Sequence, residues 1–496
     1  MLARVGRDSL ARNSVLIMAS TLGSSGLGYL YWMIAARELP RPAIGTATAL
    51  ISAATVVSMV ANLGLGHMFI QRLPAAPAAT WSRIVSAGLL LGCAATAVAA
   101  LAAALVLPRV AGNFAFLDDP AGAAALVATA VALTASMLLD YVFVAHRASQ
   151  GMLWRNLALA GGKLATLLGL TTAGLASPWA VVLAWTLPSL AVTGYTLRRS
   201  LPRLRPGCRL AGAGLAAELQ YVRGSLTGHH LVNLAQAGPS ALLPVLVTAR
   251  LGAADNAHFY MAWMTASVLF MVSPAVASAL YAERTNAAGR SASLPRAALV
   301  VLVVIGVPAA GLFVAGGWIL TLFSPAYAAG GATLLKILVL AAIPDAITNL
   351  AVAHWRSHAA LRRCLRLNLL MAASCLTLTW LWLPTMGIEA AGYAWLAGQS
   401  LGALIVAAHA LRTRLLRPGR TAAARPGRPA SRPPRGLGSP RRPKDQAPDA
   451  AQPRQARAVR PLLHPVVRGR PAMRFRNRSR RPSPHSRPRS RSWRAP

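Results

Sequence analysis

The chain has 496 residues, a hydrophobic content of 55% and a mean hydropathy of +0.48. This much apolar surface excludes a soluble globular protein of this length and predicts an integral membrane protein. The net charge of +39 does not indicate a nucleic-acid-binding domain, because 25 of the 51 Lys and Arg residues lie in residues 412–496. The four cysteines include no Cys-x-x-Cys pair, so neither a disulfide framework nor a zinc site is expected.

About twelve apolar stretches of membrane-spanning length follow one another from Asn13 to Leu411. Lipid offers the backbone no hydrogen-bond partners, so each stretch is predicted to be a transmembrane helix. The first stretch is longer than the core of a signal peptide and is predicted to be an uncleaved span. The predicted spans are residues 13–36, 43–70, 84–107, 122–145, 156–176, 178–197, 222–247, 257–282, 297–317, 333–354, 367–384 and 388–411.

The loops between these spans are alternately rich and poor in arginine. The Arg-poor side carries only four arginines, Arg37, Arg41, Arg109 and Arg250, with Lys336 just inside a span. The Arg-rich side carries 20, which are Arg4, Arg7, Arg12, Arg72, Arg83, Arg147, Arg155, Arg198, Arg199, Arg203, Arg205, Arg209, Arg223, Arg284, Arg290, Arg296, Arg356, Arg362, Arg363 and Arg366. Positively charged loops stay in the cytoplasm, so the pattern predicts a multi-pass plasma-membrane protein with both termini cytoplasmic.

The two halves of the chain repeat one another at a spacing of 211 to 213 residues. Five residues near loop boundaries have counterparts at this spacing: Arg12 and Arg223, Arg37 and Arg250, Arg72 and Arg284, Arg83 and Arg296, and Asn156 and Asn368. The repeat predicts a duplicated unit of six spans, and an even number of spans gives both units the same orientation. The predicted fold is an all-α polytopic membrane protein with about 12 transmembrane helices in two parallel six-helix lobes.

The domain organisation follows from the repeat and from a change of composition near the C-terminus. Residues 1–200 are predicted to form the N-terminal lobe, 201–221 a cytoplasmic linker and 222–411 the C-terminal lobe. Residues 412–496 contain 16 prolines and few apolar residues, which is typical of a disordered tail. This tail is expected to attract anionic membrane lipid and to bind nucleic acid only non-specifically, although a GC-rich genome would explain its composition equally well.

Four stretches resemble the lipid-linked oligosaccharide flippases and polysaccharide transporters of the superfamily that also contains the MATE multidrug exporters. They are RNSVLIMASTLGSSGLGYLYWMIAARELPRPAIGTATAL (12–50), NLGLG (62–66), FSPAYAAGGATLLKILVLAAIPDAI (323–347) and GIEAAGYAWLAGQSLGAL (387–404). The resemblance implies a MATE-like fold whose two six-helix lobes enclose a V-shaped cavity that opens alternately to either side. It implies a class of substrate but transfers no individual site residue.

Ionisable residues at membrane depth are energetically expensive and are therefore candidates for function. Asp345 lies nine residues after Lys336 and eleven before Arg356, which places it nearest the membrane midplane. Pro344 beside it removes a backbone donor, so carbonyl groups can line a cavity there. Asp345 is either an ion-coupling residue or a protonated side chain that is hydrogen-bonded to Asn349 one turn away.

Asp140 and Lys163 lie on adjacent predicted helices at similar depths, roughly 10 to 12 Å inside the cytoplasmic boundary. One interpretation is a structural ion pair between them, which would lower the free energy of inserting both charges. The other gives each a function: Lys163 offers a cation to a substrate phosphate in an inward-open cavity, and Asp140 takes part in ion coupling.

Polar side chains form a stripe on one face of the seventh span, at His229, Asn233, Gln236 and Ser240. Similar stripes follow the first span at Asn13, Ser20, Ser24 and Tyr31, and the second at Thr48, Ser52, Thr55 and Asn62. The stripes predict two walls of one hydrated cavity, with Asn233, Gln236 and Ser24 facing the sugar; ordinary helix packing is the alternative for any one of them. His229 titrates near physiological pH and is a further coupling candidate.

The combined prediction is an alternating-access transporter that flips a polyprenyl-diphosphate-linked oligosaccharide to the outer leaflet for cell-surface polysaccharide biosynthesis. Lys163, Arg37 and Arg250 are the candidate phosphate ligands, although Arg37 and Arg250 are alternatively anchors at the outer membrane boundary. The expected partners are the lipid-linked glycan, membrane lipid, and a polysaccharide polymerase or glycosyltransferase.

Two other functions are consistent with the sequence. A cation-coupled exporter of small amphipathic cations would need unpaired acids facing its cavity. A membrane enzyme of glycan assembly would need acidic groups in larger outer loops than this chain has. The sequence contains no recognisable catalytic constellation, metal-ligand cluster or phosphate-binding loop, so neither a cofactor nor an enzymatic activity is predicted.

Overall fold

A computed structural model describes residues 9–207, 229–286, 302–358 and 360–415, and these residues form helices joined by short turns, without β-strands. The predicted all-α fold is confirmed. The long helices of the described residues are α1 (Ser9–Glu38), α2 (Arg41–Ala61), α3 (Ala78–Val110), α4 (Pro120–Ala145), α5 (Ser149–Thr172), α6 (Pro178–Tyr195), α7 (His229–Leu251), α8 (Ala253–Asn286), α9 (Val307–Thr321), α10 (Pro325–Ser357), α11 (Leu361–Met386) and α12 (Glu389–Leu415). Nine of them are long and apolar enough to cross a membrane; α1, α8 and α5, which holds Arg155, Asn156 and Lys163, are not among the nine.

Each predicted span overlaps one of these helices, with ends that differ by up to ten residues, and only the second span is interrupted among the described residues. Residues 43–70 were expected to be continuous, but α2 ends at Ala61 and a separate short helix covers Leu65–Arg72. Leu63 and Gly64 both have left-handed backbone angles, with φ of 51° and 72°, which cannot continue an α-helix. Most of the predicted linker, from residue 208, and the tail from residue 416 lie outside the described residues.

The same set of helix contacts occurs in both halves. In the N lobe, defined as α1–α6, α1 packs on α5, α2 and α3 on α4, α4 on α6, and α5 on α6. In the C lobe, defined as α7–α12, α7 packs on α11, α8 and α9 on α10, α10 on α12, and α11 on α12. Each pair recurs six helices later, which confirms two parallel six-helix lobes.

The two lobes contact each other at the Arg-poor side. Arg37 at the end of α1 donates a hydrogen bond from Nε to the carbonyl of Leu322, which follows α9, over 2.9 Å. Reciprocally, Asn113 after α3 donates to the carbonyl of Ala249 near the end of α7, over 3.3 Å. The first helix of each lobe therefore ends on the loop that follows the third helix of the other lobe.

A closer contact joins α2 and α8 on the same side. The buried amide of Asn256 donates to the carbonyl of Gly45 and to the hydroxyl of Thr48, each over 3.0 Å. A Cβ atom on Gly45 would lie 1.6 Å from the carbonyl oxygen of Ala253, so only glycine permits this approach. The backbone fit at Gly45 therefore holds the Arg-poor side together in this conformation.

Trp81 and His146 form a hydrogen bond at the Arg-rich end of the N lobe. The indole Nε1 of Trp81, near the start of α3, donates to Nε2 of His146, just after α4, over 2.7 Å. Burial lowers the pKa of His146, and the nearby charge of Arg205 lowers this pKa further. The folded protein therefore favours the neutral imidazole, which is the form that can accept this hydrogen bond.

We expect Gly45→Leu to separate the lobes at the Arg-poor side, because overpacking a tight contact costs about 1–3 kcal/mol. Spin labels at Glu38 and Ala254, in a background without native cysteines, would report the separation by electron-electron double resonance. Gly169→Leu is the matched control, since a Cβ atom on Gly169 would meet nothing within 4 Å. An unchanged distance distribution in Gly45→Leu would show that this contact does not hold the lobes.

We expect the thermal stability of the protein to fall as the pH falls below about 6.5, the ordinary pKa of histidine. Because the pKa of His146 is lower in the folded state, the unfolded state takes up its proton first. The contribution of His146 is thus complete above its unfolded pKa and is lost as the pH falls through its folded pKa. Unfolding midpoints measured across this range should fall less steeply in His146→Gln, and an equal slope in that variant would contradict the assignment.

Candidate functional site

Lys163 lies just past the middle of α5, as the fifteenth of its 24 residues. Its Nζ atom lies 3.2 Å from the ring centroid of Trp185 on α6. The ring of Trp185 lies 6.2 Å from that of Trp32 on α1, which lies 4.9 Å from that of Tyr260 on α8. This aromatic row leads from the lysine to the other lobe, so Lys163 belongs to the side of the N lobe that faces the C lobe.

The expected ion pair between Asp140 and Lys163 is wrong, because Asp140 pairs with Arg155. Arg155 also donates to the carbonyl and the hydroxyl of Ser136, over 2.7 and 2.5 Å, and its side chain is 3% exposed. Arg155 begins two turns nearer to the α4–α5 connection than Lys163, about 12 Å along the helix. Because Arg155 lies nearer to Asp140 along the chain than Lys163 does, Asp140 pairs with Arg155. Lys163 forms no ion pair with a described carboxylate.

A chain of hydrogen bonds in the C lobe links α7 to Asp345. Arg356 donates from one guanidinium nitrogen to the side-chain oxygens of Asn233 and Gln236, each over 2.9 Å. The amide of Gln236 donates to Asn349, whose own amide donates to the carboxylate of Asp345, again over 2.9 Å each. The predicted hydrogen bond between Asp345 and Asn349 is confirmed, and Asn233 and Gln236 are tied to α10.

The polar stripes of the first and second spans are largely bonded within the N lobe or to their own helices. Ser24 donates to the carbonyl of Ser20, over 2.7 Å, and the hydroxyl of Ser20 accepts from Asn156 of α5, over 3.2 Å. Thr55 donates to its own helix, whereas Thr48 also meets Asn256 of the other lobe. The side chain of His229 lies outside the described part of the structure.

Arg37 and Arg250 both lie at the Arg-poor boundary. Arg37 is bonded to the carbonyl of Leu322 in the other lobe. The guanidinium of Arg250 lies 4.0 Å from the ring centroid of Trp380 and 3.4 Å from the carbonyl of the same residue, in its own lobe. This geometry favours the boundary-anchor interpretation of the two arginines over the phosphate-facing one.

A cavity of about 320 Å³ lies inside the C lobe, bounded by α7, α8, α10, α11 and α12. Gln236, Asp345 and Asn349 line it, so the hydrogen-bonded chain described above forms one of its walls. The remaining walls include residues that the sequence analysis did not select: Trp263, Phe270, Asn368, Trp395 and Gln399. A signal was available for two of them, because Trp395 and Gln399 are four residues apart and share one face of an apolar helix.

The described residues contain no group of three or more His, Cys, Asp or Glu side chains that would hold a metal ion. No protein-family model matches the chain, and no sequence among curated proteins is similar to it. Solved structures, in contrast, align with most of its length.

A lipid II flippase, MurJ, in an inward closed conformation aligns with a TM-score of 0.65 and 11% identity, over 80% of this chain and 87% of its own. The fold is the one that MurJ and MATE transporters share. An inward-facing multidrug resistance MATE family transporter of the MOP superfamily aligns with a TM-score of 0.53 and 14% identity, over 83% of this chain and 96% of its own. A MOP superfamily transporter from Pyrococcus furiosus, for which a reverse polarity of the binding pocket suggests a different function, gives 0.52 and 14%, over 82% and 95%.

These similarities confirm the MATE-like fold that the sequence resemblance implied. At such low identities they show the fold alone, so the substrate has to be argued from the residues of this chain. The residues that distinguish the possible substrates are the charges at membrane depth, namely Lys163, Asp345 and the Asp140–Arg155 pair.

We expect Asp140→Asn to destabilise the protein by about 3–5 kcal/mol, because it leaves the guanidinium of Arg155 buried without its counter-ion. The double variant Asp140→Leu with Arg155→Met should recover most of that loss, since it removes both charges and retains similar volumes. Thermal unfolding in detergent would measure both effects. A double variant as unstable as Asp140→Asn, or a single variant as stable as the wild type, would contradict a structural role for the pair.

Proposed function

We propose that the chain is a flippase that moves a polyprenyl-diphosphate-linked oligosaccharide across a bacterial plasma membrane by alternating access, with its Arg-rich side in the cytoplasm. This proposal depends on one observation: at membrane depth, among the described residues of the N lobe, the charged side chain without a counter-ion is a cation, Lys163. Lys163 has an aromatic neighbour and no carboxylate partner among the described residues, whereas Asp140 is neutralised by Arg155. The side of the N lobe that faces the C lobe therefore offers a positive charge.

A diphosphate suits this environment because it supplies a negatively charged counter-ion for Lys163. An ammonium group in a low-dielectric setting interacts strongly with an oxyanion, and both groups lose less hydration when they enter together. Arg37 and Arg250 are engaged with backbone carbonyls at the membrane boundary. We therefore assign the diphosphate to Lys163, with the polyprenyl chain remaining in the lipid.

The contacts at the Arg-poor side fit one end state of such a cycle. Contacts of Arg37, Asn113 and Asn256 hold the lobes together there. His230 of α7 also meets the backbone of Val60 of α2 nearer the Arg-rich side, so loading from the Arg-rich side would require this contact to open. Release to the outer leaflet would require the contacts at the Arg-poor side to break. The few hydrogen bonds involved are compatible with a transition driven by substrate or ion binding.

We further propose that Asp345 couples ion binding to this transition. A proton or cation on its carboxylate would weaken the hydrogen bond that it accepts from Asn349. Asn349 is bonded to Gln236, and Gln236 to Arg356, so the change would be passed from α10 to α7. Helix α7 packs against α2 of the other lobe, which gives the carboxylate a route to the interface between the lobes.

Export of an amphipathic cation is the alternative, because Asp345 is a carboxylate that lines a cavity. This function would depend on an acidic side chain and not on Lys163. A membrane enzyme of glycan assembly remains a third possibility, which product formation by the purified protein would reveal.

We expect Lys163→Ala to lower the rate of flipping at least tenfold, because a lost charge-assisted contact contributes about 1.5–3 kcal/mol. The rate can be measured in proteoliposomes with a fluorescent polyprenyl-diphosphate-linked sugar whose exposed fraction is quenched. Lys163→Arg retains the charge and should keep most of the activity. Lys336→Ala is the matched control, since Lys336 is an exposed lysine on α10.

A wild-type flipping rate in Lys163→Ala would remove the lysine from the site. Loss of cation export in Asp345→Asn, with glycan flipping absent from the wild-type protein, would favour the cation exporter and overturn the proposed substrate.

A further inference from the structure

We propose that the cavity inside the C lobe is a binding site for one pyranose ring. That the ring belongs to a lipid-linked glycan rests on the proposed function, whereas the affinity for a pyranose is argued from the cavity itself. The cavity is distinct from the surroundings of Lys163, because all of its lining residues belong to α7, α8, α10, α11 and α12.

The size and shape of the cavity suit one small ring. Its volume of about 320 Å³ lies at the lower end of the range for sites that bind small molecules. Trp263 and Trp395 stand perpendicular to each other with ring centroids 4.9 Å apart, and Phe270 lies 5.7 Å from each of them. A pyranose presents faces of C–H groups, which pack well on such aromatic surfaces.

Three almost fully buried polar side chains of the cavity have unused hydrogen-bonding capacity. The indole N–H of Trp395, a residue 7% exposed, has no partner among the described residues. Gln399, 8% exposed, accepts from Thr348 through its side-chain oxygen, while no described group accepts from its amide nitrogen. Asn368, 3% exposed, donates to the carbonyl of Cys364, while no donor in the described part of the chain bonds its side-chain oxygen.

The indole N–H of Trp395 is a buried donor without a partner among the described residues, which is unfavourable. A ligand in the cavity would satisfy it together with the side-chain amides of Gln399 and Asn368, which line the same space. The unused groups comprise two donors, on Trp395 and Gln399, and one acceptor, on Asn368. The carboxylate of Asp345 is a further acceptor in the wall. Hydroxyl groups both donate and accept, so a ring that carries several of them can satisfy all of these groups at once.

The same groups argue against a cation as the occupant. A quaternary ammonium or a metal ion would be attracted to the aromatic faces or to Asp345, but it accepts no hydrogen bond. The indole N–H of Trp395 and the amide of Gln399 would remain unsatisfied, and their positive ends would face a like charge.

The cavity opens where substrate could reach it. Ala237 on α7 and Met271 on α8 are lining residues that remain exposed, so we place the opening of the cavity between these two helices. Both helices also pack on α2 of the N lobe. A sugar that entered the space between the lobes would therefore meet this opening, and once inside it would lie beside the hydrogen-bonded chain from Asp345 to Arg356.

The test is ligand-observed saturation-transfer NMR on the full-length protein in lipid nanodiscs, a method suited to weak binding. The probes are methyl β-D-glucopyranoside, methyl β-D-galactopyranoside, the open-chain polyol glucitol and tetramethylammonium. We expect at least one pyranoside to bind and glucitol not to bind, because glucitol has the hydroxyl groups without the rigid ring. Trp395→Phe keeps the aromatic ring but removes the donor, so it should weaken pyranoside binding about fivefold.

Gln399→Leu should weaken binding by a similar factor, whereas Trp318→Phe should have no effect, because Trp318 is 67% exposed on α9 and outside the cavity. Unfolding midpoints identify any variant that fails to fold. If Gln399→Leu fails to fold, Trp395→Phe still tests the proposal. Failure of both pyranosides to bind, equal loss in Trp318→Phe, or binding of tetramethylammonium alone that is lost in Asp345→Asn would each overturn the proposal.

Competition by farnesyl-diphosphate-linked glucose would support a lipid-linked source of the ring. If the pyranoside binds without such competition, the site stands and takes a free sugar. Because Lys163 lies outside this cavity and the NMR test uses free pyranosides, failure of the pyranose site and failure of the proposed substrate would be observed separately.

Discussion

The constraint on which this structure depends is that lipid neither solvates a charge nor satisfies a polar group. Each ionisable side chain at membrane depth must therefore find its partner within the protein or receive it from a ligand. Arg155 has Asp140 and both oxygens of Ser136. Asp345 has Asn349, and Arg356 has two side-chain amides on α7. Within the described ranges, the one partner of Lys163 is the face of Trp185, and this difference directs attention to the N-lobe surface beside it.

The two lobes share one architecture but use it differently. Their helix pairs match one to one, yet the N lobe holds an ion pair and a lysine on an aromatic row, while the C lobe holds a chain of amides and a cavity. A duplicated unit supplies two equivalent scaffolds, and substitutions then give each a separate task. We infer a division in which the N lobe attracts the charged part of the substrate and the C lobe holds its neutral part.

The sequence predicted the helices and the repeat because hydropathy and arginine content are local properties that survive in any packing. The pairing of Asp140 could not be predicted, because it depends on where α5 begins: the helix starts at Ser149, which brings Arg155 into reach ahead of Lys163. The approach at Gly45 depends on the backbone of the other lobe, about which a single helix carries no information. The C-lobe cavity joins residues from five helices: the sequence indicated Gln236, Asp345 and Asn349, but it did not indicate that they share a cavity with the aromatic residues of α8 and α12.

The reciprocal contacts of Arg37 and Asn113 have a consequence for the energetics of the conformational cycle. Because the repeat relates the two, rocking one lobe about the axis between them stretches both bonds together, and neither can be retained while the other yields. With the two bonds made by Asn256 and the bond between Arg41 and His258, five described hydrogen bonds of about 0.5–1.5 kcal/mol each have to break before this side can open. A bound molecule that drives the cycle must therefore prefer the opposite conformation by a comparable free energy.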